Sequence, residues 1–284
     1  MLAEPISGER DYSAPFSDLK KVIQININLV EATAGEPSGR MNKNIDAESL
    51  IIKAITGAIS AIAIYKNGFD ILVNNTKYVG CDFPSIQVIS RSCMESYLIF
   101  YWLFSDNCSE DEKEMRYLMW KAAGLFWRTK IQNLSDESRG IIKREETERN
   151  NFIEQINNNS YFKKLTQDEK ENIFNQIQRG KNNRPAWKDL IAKANLSTKM
   201  YNCYSFFCDY SHSGGISAAQ IKTANNLGDQ RNMCHLALNI IALFLSLFSI
   251  DYAKIFPAAK TWLSKNFQEN DLIKKLSWVA YNLV

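Results

Sequence analysis

The chain has 284 residues, 45% of them hydrophobic, which is enough for a sizeable core and too much for disorder to be the default. Lys and Arg number 34 against 31 Asp and Glu, a net charge of +3. That balance excludes the strong overall positive field of an obligate DNA-coating or condensing protein, but it allows a local basic face. Apolar residues recur at helical spacing almost throughout, with no convincing strand pair and no repeat of solenoid period. The expected class is all-α: a multi-helix bundle with buried central helices and a charged helical insertion.

In chain order, the first segment, MLAEPISGERDYSAPF, carries Glu4, Pro5 and Glu9 and lacks the continuous apolar stretch of a secretory leader. Helices are expected over 15–33 and 45–76, then over 84–106, where Pro84 suits a first turn. From Tyr97 to Phe104 that helix is apolar on every side, the pattern of an element in the middle of a bundle. Arg91 and Glu95 lie on it one turn apart, and charges on a buried helix must be paired and hydrogen-bonded. A helix over 109–134 follows.

At Ser135 the composition changes. Up to Arg184 the chain is rich in charge, Asn and Gln, with helices expected over 136–157 and 166–179. Ile141, Ile142, Phe152, Ile153 and Ile156 leave a thin apolar stripe, consistent with a solvated excursion or with a surface for a protein partner. The expected organisation is a helical core of 1–134 and 185–284 interrupted by a charged insertion, 135–184.

Further helices are expected over 185–195, 198–212, 228–252, 257–268 and 271–282. Leading into them, Arg179, Lys181, Arg184, Lys188, Lys193 and Lys199 stand against one acid, Asp189, with Trp187 among them. Such a run suits a phosphate-bearing partner such as RNA, with Trp187 for base stacking, although a solvated positive surface has the same composition. Ser197 is placed to cap the next helix, and Gly214 to close it in a left-handed conformation just beyond His212. At a helix C-terminus the exposed carbonyls favour imidazolium, which makes acid–base work near neutral pH accessible to His212. A histidine that merely caps those carbonyls would sit in the same place.

Ser205, Asp209 and His212 share one stripe of this helix, with Cys208 beside them. Ser205 and His212 are two turns, ~10.5 Å, apart, which excludes a serine–histidine dyad within the helix. Cys208 among Phe206, Phe207 and Tyr210 reads as packing. Cys203 and Cys208 are ~140° apart around the helix and cannot share a metal with His212, so neither metal nor cofactor is expected. His235, beside Cys234, reads as a core or cap residue. Leu236–Ile250 is shorter than a ~20-residue membrane span and is interrupted by Asn239, Ser246 and Ser249, so it reads as a buried helix. Six widely spaced cysteines suit a reduced, cytoplasmic protein with no membrane partner.

Arg-Ser-Cys-Met-Glu at 91–95 and Ser-Phe-Phe-Cys-Asp-Tyr-Ser-His at 205–212 resemble the motifs of a family of uncharacterised bacterial helical proteins, domain-of-unknown-function family 5677. The resemblance spans roughly 46–250 outside the insertion. That family is in turn similar to the HEPN helical ribonucleases of toxin–antitoxin and phage-defence systems, which cleave RNA without metal using an Arg and a His four to six residues later on one helix. Here Glu95 follows Arg91, so the histidine must come from another helix. The resemblance implies cleavage of RNA with His212 as general acid or base, Arg91 stabilising charge on phosphate, Glu95 orienting Arg91, and Asp209 as a fourth catalytic residue. Arg91 and His212 must then meet at one cleft. The alternative is a non-catalytic interaction module of a multi-component complex, in which the same four residues fix helix register. A protein partner at 135–184 or a second copy of the chain would dock on it.

Overall fold

The computed structural model describes residues 16–34, 42–131 and 135–283; the leader expectation therefore falls largely outside the described residues. Among these residues there are thirteen α-helices and one two-stranded sheet, an all-α multi-helix fold. In chain order they are α1 (Ser17–Thr33), α2 (Asn42–Asn67), β1 (Phe69–Val73), β2 (Thr76–Gly80), α3 (Phe83–Phe100), α4 (Glu110–Arg128), α5 (Asp136–Asn158), α6 (Ser160–Lys164) and α7 (Gln167–Ile177). After them come α8 (Trp187–Lys193), α9 (Thr198–Ser211), α10 (Gly215–Thr223), α11 (Leu227–Ile255), α12 (Pro257–Lys265) and α13 (Phe267–Asn282). They form two compact units. The first takes the described residues up to Tyr101 and from Ile191 onward, and the second is Trp102–Leu190.

The first unit is built around α11. Every residue from Ile240 to Ser249 is buried, as expected of a helix apolar on all sides, and Ser246 and Ser249 satisfy their hydroxyls on Ala242 O (2.8 Å) and Leu245 O (3.1 Å) within the helix. Tyr97 of α3 packs edge-on against Phe244 and Phe248 of α11, and its hydroxyl donates to Oδ2 of buried Asp251 at 2.9 Å. Among the described residues two helices, Lys43–Asn67 and Leu227–Ile255, are long and apolar enough to cross a membrane. The apolar window of α11 is 72% buried, against 33% for that of α2.

One expected helix is too long. The 45–76 helix stops at Asn67, and a hairpin follows, with Val73 paired to Thr76 across Asn74 (φ 48°) and Asn75 (φ 60°). Two left-handed residues in succession make the hairpin turn whose twist matches its strands, and Asn tolerates that region. Phe69–Val73 is exposed along its whole length, so no in–out alternation marks it as a strand. Gly68 (φ 59°) makes the exit from α2, where a Cβ would overlap the Gly80 carbonyl.

The second unit packs α4 against α5, α6 and α7 around Met115, Leu118, Met119, Ile156, Phe162, Ile173 and Ile177. It begins before the compositional change at Ser135 and holds α4 as well as the 135–184 stretch. The thin stripe of that stretch supplies Ile156 to the core, with Phe152 and Ile153 partly buried against it. Ser109 caps α4, and Thr166 with Glu169 forms a reciprocal capping box on α7.

Candidate functional site

Ser197 opens α9 as expected, its Oγ accepting from the Lys199 N–H at 3.3 Å. The helix ends at Ser211, and the left-handed residue beyond it is Ser213 (φ 54°), not Gly214. Gly214 is extended and is needed for a different reason: a Cβ there would overlap the Asp209 carboxylate. That carboxylate accepts from the Ser217 N–H at 2.5 Å, so a residue of α9 satisfies a free amide at the start of α10. α10 was not expected; the Gly-Gly pair ends one helix and begins the next.

His212 is thereby held at the exposed end of α9, with its N–H on Cys208 O at 3.1 Å. Its Nε2 lies 3.3 Å from Nη1 of Arg91, a residue 121 positions away on α3. A guanidinium only donates, so a hydrogen bond at this contact uses the lone pair of Nε2, with the ring N–H at Nδ1. Arg91 Nε donates to Glu95 Oε1 at 2.8 Å, and the Tyr204 hydroxyl donates to the same oxygen at 3.0 Å. The Arg91 guanidinium stands 5.6 Å from the centre of the Tyr204 ring. Burial is the largest influence and opposes the arginine's charge, but the Glu95 carboxylate, the Tyr204 phenol and the Cys208 thiol together outweigh it and lift the guanidinium pKa above its ordinary value. Burial, the Cys208 thiol and the Glu95 carboxylate together push the Tyr204 phenol well up, so it stays a donor.

Arg91, Glu95 and His212 are thus brought together, and Asp209 is spent on the turn to α10. Tyr204 was not singled out from the sequence. The face of α9 turned to α3 is Tyr204, Cys208 and His212, an i, i+4, i+8 stripe, whereas Ser205 one step round is exposed. His235 is half-buried with Nε2 3.4 Å from the Tyr65 hydroxyl, as a core histidine would be. Among the described residues no three His, Cys, Asp or Glu side chains gather to hold a metal.

The basic run is divided. Arg179, Lys181, Arg184 and Lys188 belong to the second unit, and Lys193 and Lys199 to the first. All but Arg184 are exposed; Arg184 lies 3.5 Å over the Trp187 ring and donates to Pro185 O at 2.8 Å. One face of Trp187, the expected stacking residue, is therefore already covered.

At the exposed end of α9 a hydrogen-bond donor with fixed charge and a nitrogen lone pair stand side by side, backed by a carboxylate and a buried phenol. Nothing among curated proteins or solved structures matches the chain. The profile of a family of unknown function (DUF5677) matches residues 49–229, which include all five residues of this cluster and its supporting turn, and the chain belongs to that family.

Proposed function

We propose that this protein cleaves RNA at phosphodiester bonds without a metal, at Arg91 and His212. One observation carries the reading: the 3.3 Å approach of Arg91 Nη1 to His212 Nε2 at an exposed edge. His212 Nε2 takes the proton of a ribose 2′-hydroxyl, the 2′-oxygen attacks phosphorus, and the P–O5′ bond breaks as the His212 imidazolium returns the proton to the leaving 5′-oxygen. The products are a 2′,3′-cyclic phosphate and a free 5′-hydroxyl. Arg91 turns its terminal N–H groups from the imidazole to the phosphate oxygens as charge develops there. Glu95 and Tyr204 fix the guanidinium plane from behind. Lys193 and Lys199, exposed in the same unit, contact the backbone. The similarity to HEPN ribonucleases adds a bacterial defence or toxin–antitoxin setting.

The test is end-labelled RNA and the matching DNA incubated in chelator with wild type and His212→Ala, after both have been shown to melt cooperatively. RNA alone is cut, leaving cyclic phosphate ends, and His212→Ala loses on the order of 10²–10⁴-fold in rate. Intact RNA with folded wild type overturns the proposal. The second reading, an interaction module, is favoured by Asp209 and Glu95, whose carboxylates tie α9 to α10 and α3 to α9 as a register-fixing network would.

A further inference from the structure

α4 carries Trp120 and Trp127 seven residues apart, on one face and two turns, about 10.5 Å, from each other. Between them on that face are Ala123 and Gly124, and a Cβ added at Gly124 would meet nothing within 4 Å. The missing side chains open a cleft of about 590 Å³ between the two indoles, closed on its other side by the segment after α7 that contains Gly180, Lys181 and Asn183. Its size lies in the range of small-molecule sites.

Trp127 is 62% exposed and yet fixed. Its Nε1 donates to Gly180 O at 3.1 Å, and Phe126 braces it edge-on at 5.3 Å. Gly180 has φ 67°, and a Cβ there would collide with both Phe126 and Trp127, so the glycine is what allows the loop to grip the indole. A fixed, exposed indole lining an open cleft is suited to stacking a planar ring. The rest of the lining is an ammonium, a guanidinium and the carboxamides of Gln176, Asn182 and Asn183, with no carboxylate among them. Carboxamides match the mixed donor and acceptor edge of a nucleobase, and exposed Lys181 supplies a cation for phosphate.

We propose that this cleft binds a nucleotide, the base stacked on Trp127 and the phosphate at Lys181. A free mononucleotide and one residue of a single strand present the same chemistry. The site lies wholly in the second unit and does not depend on cleavage at His212.

The test is calorimetric titration of the full chain with adenosine monophosphate, adenosine, inorganic phosphate and a deoxyadenylate hexamer, which has no 2′-hydroxyl and so cannot be cut by the proposed chemistry. The monophosphate binds more tightly than adenosine, and phosphate alone gives no heat. A hexamer at least tenfold tighter than the monophosphate identifies a strand as the ligand; equal affinities identify the free nucleotide. Gly124→Leu fills the slot with a good helix former at an open, exposed position, and reduces binding at least tenfold with no fall in melting temperature. Lys181→Glu weakens the monophosphate and leaves adenosine unchanged. No heat from monophosphate and hexamer at millimolar concentration, or binding that Gly124→Leu leaves intact, overturns the proposal. RNA cleavage is read separately, so either result here leaves the reading of His212 standing or falling by itself.

Discussion

Arg91 in the first unit and Arg116 in the second each have a glutamate four residues away on the same helix, and their surroundings are opposite. Arg116 is 5% exposed, and its Nη1 donates to Asp106 Oδ2 at 2.7 Å and to Trp102 O at 3.0 Å while Nη2 reaches Glu112 Oε1 at 2.5 Å. Burial works against its charge, but Asp106, the Cys108 thiol and Glu112 together more than compensate and hold its pKa above the ordinary value. Both terminal nitrogens are spent on the chain. Arg91 has its inner Nε bonded to Glu95 and turns a terminal nitrogen to an exposed histidine. The same i,i+4 spacing therefore yields a strut in one unit and an open donor in the other, and what distinguishes them is the partner that another part of the chain brings opposite.

The largest expected effect breaks the buried member of the pair. Arg116→Met takes the arginine away from Asp106 and Glu112 in a largely buried site, and removing one partner from such a cluster costs about 3–5 kcal/mol. Urea unfolding of wild type and variant measures it. A loss below about 1 kcal/mol would show that the cluster is wetter than its burial implies and would erase the contrast with Arg91.

Much of this was legible in the sequence, in proportion to how local the physics is. The apolar run on α11, the cap at Ser197 and the end of α9 at His212 follow from periodicity and capping within one turn. The hairpin was missed because α2 is apolar up to Ile64 and the short run Ile71–Val73 does not alternate; Gly68 just after Asn67 and the Asn pair at 74–75 were the available signals. α10 was missed because its amide is satisfied by Asp209, eight residues back on the preceding helix. Arg91, Glu95 and His212 could each be named, but their meeting spans 121 residues and no spacing encodes it. Arg116 sits in EDEKEMRYLMW, a charged run that reads as a solvated face until Asp106 and Trp102 are seen to close over it.

An intermediate effect separates the interior of the first unit from its open edge by pH. Burial, helped by the Asp209 charge, pushes the Tyr210 phenol up to about 12, and burial pushes the Cys93 thiol up to about 12. Both lie above their unfolded values of 10.0 and 9.0, so the unfolded chain gives up these protons first. Their contribution to stability is complete below about pH 9 and falls as pH rises toward about 12. Urea midpoints across that range should decline, and Cys93→Ala should flatten the part of the decline that begins near pH 9. A midpoint constant up to pH 11 would mean these groups are solvated.

The smallest effect on stability belongs to Arg91, and for that reason it sharpens the comparison most. The Arg91 and Glu95 side chains keep 19% and 28% of their exposure, so Arg91→Met removes an ion pair that water partly screens. Glu95 keeps the Tyr204 hydroxyl as a donor and is more exposed than Asp106, whose side chain retains 12%. The unfolding free energy should fall by no more than about 1 kcal/mol. Under the proposed chemistry the same substitution removes the donors that meet charge on phosphate, a loss on the order of 10²–10³-fold in cleavage rate. A variant that is nearly as stable as wild type and inactive would separate the two arginines by role. If Arg91→Met instead costs as much as Arg116→Met, then Arg91 ties α3 to α9 as a strut does, and the two clusters are of one kind.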